Sequence, residues 1–141
     1  MDFDELNCYK RKSGLLPGHS YASIVKVAWV VFKGLSSQTK RRPYIRSAYF
    51  MNKKIFLDNF WPHLMQKNPT DRKFRLRFLK GAVELMRNSV QRPVFVKRDE
   101  IRHEILYRFL GKASEKYFVV QIKMDLKRNQ LLLMSCFEYE K

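Results

Sequence analysis

The residues that decide the fold are Glu104-Ile105-Leu106-Tyr107-Arg108-Phe109-Leu110, followed by Tyr117-Phe118-Val119-Val120-Gln121-Ile122-Lys123-Met124 and Leu131-Leu132-Leu133-Met134-Ser135-Cys136-Phe137. These runs read with period two and are separated by short polar loops, as is Val94 to Lys97 ahead of them. Together they predict an antiparallel meander. Turn residues then set the register. Lys127, Arg128 and Asn129 suit a three-residue hairpin loop with Asn129 in left-handed backbone, which pairs Gln121 with Ser135 and Lys123 with Leu133. A turn through Lys112 to Glu115 pairs Arg108 with Val119 and Leu106 with Gln121. Phe118, Val120, Ile122, Leu132, Met134 and Cys136 then form an apolar face. Arg108, Gln121, Lys123 and Ser135 share the opposite face with Glu104.

Outward from the meander, Phe74, Phe78, Ala82 and Leu85 recur at helical spacing and predict a helix from Asp71 to about Asn88, capped by Thr70 or Asp71. Leu57, Phe60, Trp61, Leu64 and Met65 predict another, with Pro62 tolerated in its first turn and Pro69 ending it. Tyr44 to Met51 and Lys54 to Phe56 read as a hairpin turning at Asn52 and Lys53. The segment from Ser20, its cap, to Phe32 reads as a helix ending at Gly34, with a strand as the alternative because of its β-branched residues, and the polar run Ser36 to Pro43 follows as a linker. The first 19 residues read as an irregular lead-in. This organisation is α+β: residues 1–38 are a helical appendage, and residues 39–141 pack helices on one face of a small curved antiparallel sheet.

The chain has 141 residues, with 29 Lys plus Arg against 13 Asp plus Glu, a formal charge of +16. Such an excess points to a polyphosphate or an anionic membrane surface as partner, and nucleic acid comes first. The most apolar run, Val27 to Phe32, is six residues long and bracketed by Lys26 and Lys33, too short to span a bilayer. Asp2, Asp4 and Glu5 stand where a signal peptide needs basic residues, so a cytoplasmic location is expected. Cys8 and Cys136 are too few and too far apart for a disulfide framework or a CxxC metal site, so neither metal nor cofactor is expected.

Arg108, Lys123, Gln121 and Ser135 on one sheet face suit a phosphate: guanidinium and ammonium stabilise anionic oxygens and a hydroxyl positions one of them. The competing reading makes Lys123 and Glu104 a cross-strand ion pair and Arg108 a solvated strand residue. Lys40, Arg41, Arg42, Tyr44 and Arg46 interleave charge with an aromatic ring that can stack on a base, and are the candidate RNA-binding residues together with Gln121. The alternative is a basic linker. Arg72, Lys73, Arg75, Arg77 and Lys80 read first as a solvated helix face. His63 reads either as a proton-transfer group or as a packed histidine at a helix start, and His103 as a loop histidine.

From about Lys40 onward the chain resembles the phage-associated branch of the barnase, EndoU, colicin nuclease and RelE superfamily of ribonucleases. The resemblance rests on the runs Lys40 to Tyr49, Ile55 to Leu64, Glu104 to Phe109 and Phe118 to Lys123, and on Ser135, Cys136 and Phe137. It implies a RelE- or barnase-like domain and a toxin-like, metal-independent endoribonuclease, with Arg108, Lys123 and Ser135 in the site. Similar sequences are expected to carry a histidine before the strand arginine; here that position is Tyr107. The implied chemistry is attack of a ribose 2′-hydroxyl on the adjacent phosphorus, with His63 or Tyr107 transferring the proton. It also implies an acidic antitoxin or immunity protein as partner. Two other classes remain: a non-catalytic RNA- or ribosome-binding protein, and a metal-dependent restriction-like nuclease built on Gln121, Lys123 and Asp99 or Glu104.

The charge alone makes one outcome testable. Affinity for RNA should fall steeply as salt rises, because bound Lys and Arg release counterions. Fluorescence titration at several salt concentrations checks it; a flat response contradicts it. Replacing Lys40, Arg41 and Arg42 together by Ala should weaken binding and leave the saturated single-turnover rate nearly intact.

Overall fold

The computed structural model describes residues 7–10, 21–37 and 42–140, which form an α+β fold with a curled mixed sheet. Its strands are β1 (Cys8–Lys10), β2 (Tyr44–Arg46), β3 (Lys54–Phe56), β4 (Phe95–Asp99), β5 (Glu104–Ala113), β6 (Lys116–Asp125) and β7 (Gln130–Tyr139). The helices are α1 (Tyr21–Ser37), α2 (Phe60–Met65), α3 (Pro69–Leu76) and α4 (Leu79–Asn88). Strand order is β1-β5-β6-β7-β3-β2, and β4 also pairs with β5. The meander β4 to β7 is antiparallel as its alternation predicts. The sheet as a whole is not: β1 joins β5 and β3 joins β7 in parallel. Both parallel joins link segments far apart in sequence, which local turn signals do not register. They also bring β1, within the expected irregular lead-in, and the β2–β3 hairpin into one sheet with the meander.

Three helix boundaries differ from expectation. Helix α1 continues through Gly34 to Ser37, while its expected cap, Ser20, lies outside the described residues. Pro69 opens α3 at its first position, and the cap is Asn68, whose side chain accepts a hydrogen bond from the Asp71 amide at 2.8 Å. The long helix expected from Asp71 to Asn88 is broken at Arg77 and Phe78 into α3 and α4. Leu76, Phe78 and Leu79 are all buried. A straight helix would turn Leu76 and Phe78 about 200° apart, so one apolar face cannot hold both.

The main core lies on one face of the sheet. Phe109, Phe118, Val120, Ile122, Leu133 and Cys136 meet Leu76, Phe78 and the buried face of α4 there. Ile24, Ala28 and Phe32 of α1 belong to the same cluster, so α1 shares this core. Trp61 of α2 stands edge-on to Trp29 and Phe32 at 5.4 and 5.6 Å, which fixes α2 against α1. Cys8, Leu110 and Val119 form a smaller cluster on the other face with Phe137 and Tyr139.

Register follows the turns. The β5–β6 hairpin closes on Ser114 and Glu115, with Ser114 at φ 56°, so Arg108 faces Gln121 and Leu106 faces Lys123. That is two residues from the predicted pairing. An even shift preserves which side chains share a face. Gln121 pairs with Ser135 as predicted, and Asn129 is left-handed at φ 52°. Beyond Gln121 a β-bulge leaves Met134 unpaired in the ladder, and Lys123 faces Leu132 rather than Leu133. Leu131 and Leu133 therefore point into the core in place of the predicted Leu132 and Met134.

Gly111 faces Phe118 across β5 and β6. A Cβ at Gly111 would overlap the Phe118 ring, which stacks on Phe78 at 5.4 Å. Gly111→Ala should cost about 1–3 kcal/mol of stability, read from urea unfolding. An unchanged midpoint would mean that the ring is free to move aside.

Candidate nucleic-acid interface

Side chains paired across neighbouring strands project from the same side of a sheet. On the face away from the main core, one row runs Phe95, Arg108, Gln121, Ser135 across β4 to β7. The next runs Lys97, Leu106, Lys123, Leu132, Phe56, Tyr44 across β4, β5, β6, β7, β3 and β2. Arg108, Gln121, Lys123 and Ser135 are thus brought together, as their alternation predicts. Ser135 is 4% exposed, and the other three are half-buried.

Within this group Arg108 Nε donates to Gln121 Oε1 at 3.0 Å, and its guanidinium lies 5.2 Å from the Phe95 ring and 5.8 Å from Phe137. The rings and the amide fix the fork from three sides, which limits the entropy lost when it grips an anion. Among the described residues its two Nη nitrogens have no further partner. Lys123 Nζ forms an ion pair with Glu104 at 3.6 Å, so the competing reading of that lysine is realised too.

The residue that sequence reasoning missed is Arg75. Its charge-rich stretch reads first as a solvated helix face, yet its side chain is only 18% exposed. Its Nη1 donates to Ser135 Oγ at 2.5 Å, and its guanidinium lies 5.3 Å from the Phe137 ring. Its backbone carbonyl accepts the Cys136 thiol at 3.2 Å. Burial pushes that thiol up to about 12, so it stays a neutral donor. Because Ser135 and Cys136 point to opposite faces, Arg75 straddles β7: its backbone is tied to the core side and its charge to the second face. The signal in sequence was faint: Arg75 lies one residue before Leu76, in a helix too short for α3 and α4 to share a face.

His63 on α2 lies in the electrostatic field of Arg75 and Lys123. Burial, then the charges of Lys67, Arg75 and Lys123, push its pKa below the ordinary 6.5. The imidazole is therefore neutral at pH 7 and able to take a proton. Tyr107 is elsewhere. It lies with the core-side aromatics, stacked on Phe109 and edge-on to Phe50 at 5.1 Å, and burial, with Tyr49 beside it, raises its pKa. It is not brought to Arg108, Lys123 and Ser135.

Of the candidate RNA-binding residues, Lys40 and Arg41 lie outside the described residues. Arg42 is engaged by Asp58 through two hydrogen bonds of 2.9 Å and lies 4.0 Å over Phe56. Tyr44 and Arg46 continue the second face on β2. Asp99 and Asp125 each receive two backbone amides of their own turns, so both serve turn formation. Among the described residues no group of three His, Cys, Asp or Glu side chains is arranged to hold a metal ion, and no helix is long and apolar enough to cross a membrane. Comparison of the chain with known protein families, curated proteins and solved structures finds no match.

The His63 environment can be read directly. An NMR titration should place its midpoint below 6.5, and Lys123→Met should move it upward, whereas Lys53→Met should not. Since folding lowers this pKa, the unfolded chain binds more protons, and the group removes stability as pH falls from about 6.5 through the folded value. A midpoint at 6.5, indifferent to Lys123, would separate His63 from the cluster.

Proposed function

We propose that this chain is a metal-independent endoribonuclease of the barnase, EndoU and RelE type. The observation that carries the reading is the convergence of Arg75, Arg108, Lys123 and Ser135 on one face of the sheet, with the imidazole of His63 in the electrostatic field of Arg75 and Lys123. On this reading the RNA phosphodiester sits between the two guanidinium groups, with Lys123 released from Glu104 to the phosphate. His63 takes the 2′-hydroxyl proton, and the oxygen attacks the neighbouring phosphorus. The P–O5′ bond then breaks as the 5′-oxygen takes up a proton from water, leaving a cyclic phosphate and a 5′-hydroxyl end. The cations stabilise charge that grows on the phosphorane oxygens, which is where oriented donors contribute most. The need for a 2′-hydroxyl makes RNA the substrate.

The position of Tyr107 favours a second reading, an RNA-binding protein without cleavage, because the other expected proton-transfer group is absent from the cluster. On the first reading the chain is toxic to its own cell, so an acidic antitoxin or immunity protein should cover the cationic face. A cytoplasmic location follows for both.

Incubation with structured RNA in excess chelator should yield fragments with cyclic phosphate ends. Arg108→Ala and Arg75→Ala should each slow cleavage about a hundredfold or more. Expression of the parent chain should arrest growth, and expression of Arg108→Ala should not. Intact RNA and equal growth would leave the binding reading in its place.

A further inference from the structure

We propose that the groove between the β2–β3 hairpin and the tip of the β6–β7 hairpin is a separate subsite for one unpaired nucleotide of an RNA strand. The class of ligand rests on the RNA reading above; the site does not depend on cleavage. The groove has a volume of about 420 Å³, within the range of small-ligand pockets, roughly 300–1,000 Å³. Its walls are Arg46, Lys53, Lys54 and Arg128, all exposed, and its lining includes Phe56 and Met124. Among the described residues no carboxylate lines it. Four cations converging on one concavity without a carboxylate are an anion site, and the apolar lining offers a seat for a base or ribose. A free phosphate would leave that apolar surface unused, and a duplex would keep its bases stacked away from it.

Tyr44 organises the cations. The Lys54 ammonium lies 4.6 Å from its ring centroid and the Arg46 guanidinium 5.4 Å, so the ring quadrupole holds both charges in place. Tyr44 is therefore a positioning residue. The groove is also joined to the proposed reacting centre, since Tyr44 and Phe56 end the row that contains Lys123. Gln130, at the groove, and Ser135 are five positions apart on β7, roughly 16 Å at strand spacing. A strand seated in the groove can reach the cluster within a few nucleotides.

The test is fluorescence anisotropy of a labelled single-stranded oligouridylate of about eight nucleotides, a typical single-strand site size. Arg46→Ala combined with Lys54→Ala should weaken binding and make the slope of log affinity against log salt shallower by about 0.7 per lost contact. Tyr44→Leu should weaken binding about tenfold with little change of slope, since it removes no charge. The same loss of charge on α4, Lys80→Ala with Arg87→Ala, should leave affinity and slope nearly unchanged. Pairing the probe with oligoadenylate should weaken its binding. A groove double variant that behaves like the α4 control, or a duplex that binds as tightly as the single strand, overturns the subsite. If binding depends on the groove but no RNA is cut, the nuclease reading fails and the subsite stands.

Discussion

One extra residue in β7 governs both faces of the sheet. With Met134 bulged, Ser135 stays opposite Gln121 on the second face while Leu133 and Leu131 turn into the core below it. A regular strand with Ser135 in the same place would aim Leu132 and Met134 at the core and leave Leu131 and Leu133 on the polar side. The bulge thus reconciles a consecutive leucine run with a polar row, and β7 becomes the strand on which packing and chemistry meet. Beside Ser135 and Cys136, Arg75 uses both faces at once. The Arg75 contacts with Ser135, Phe137 and the Cys136 thiol tie α3 to that strand. Helix α2 also packs against β7, which brings His63 into the electrostatic field of Arg75 and Lys123.

The meander was legible in sequence because period two and turn residues are local signals. Arg108, Gln121 and Ser135 could be assigned to one face even though the β5–β6 pairing was two residues off, because an even slip changes neighbours without changing sides. The bulge was not legible: Leu131, Leu132, Leu133 and Met134 are all apolar, so the alternation that would have exposed it is missing. Arg75 was hidden for a different reason. Its role depends on the break at Arg77 and Phe78 and on the edge of β7, neither of which is written in helical spacing. The parallel joins of β1 and β3 were invisible to any local reading, and with them the sharing of one core by α1 and the meander.

Electrostatically the second face is uneven. Arg75 and Arg108 are held by Ser135 and Gln121 at hydrogen-bond distance, so their orientation is set before any ligand arrives, whereas Lys123 is held by Glu104 in an ion pair that a phosphate must displace. Preorganised cations of this kind lose little entropy on gripping an anion. Arg75 and Lys123, with burial and Lys67, also oppose protonation of His63, which couples the imidazole to two of the charges that would hold a phosphodiester. On the proposed reading, base strength and phosphate affinity cannot be tuned independently here: removing a cation weakens the clamp and returns His63 toward its ordinary pKa.

The central claim is that an RNA phosphate is received on this face, between Arg75, Arg108 and Lys123. The most direct measurement is a two-dimensional NMR titration with a 2′-O-methyl oligonucleotide, which binds as RNA does but lacks the attacking hydroxyl. Shifts concentrated at Arg75, Arg108, Gln121, Lys123 and Ser135, with His63 moving alongside them, are the expected result. Shifts confined to the core-side surface around Tyr107 and Phe50, with these five residues unmoved, would contradict it.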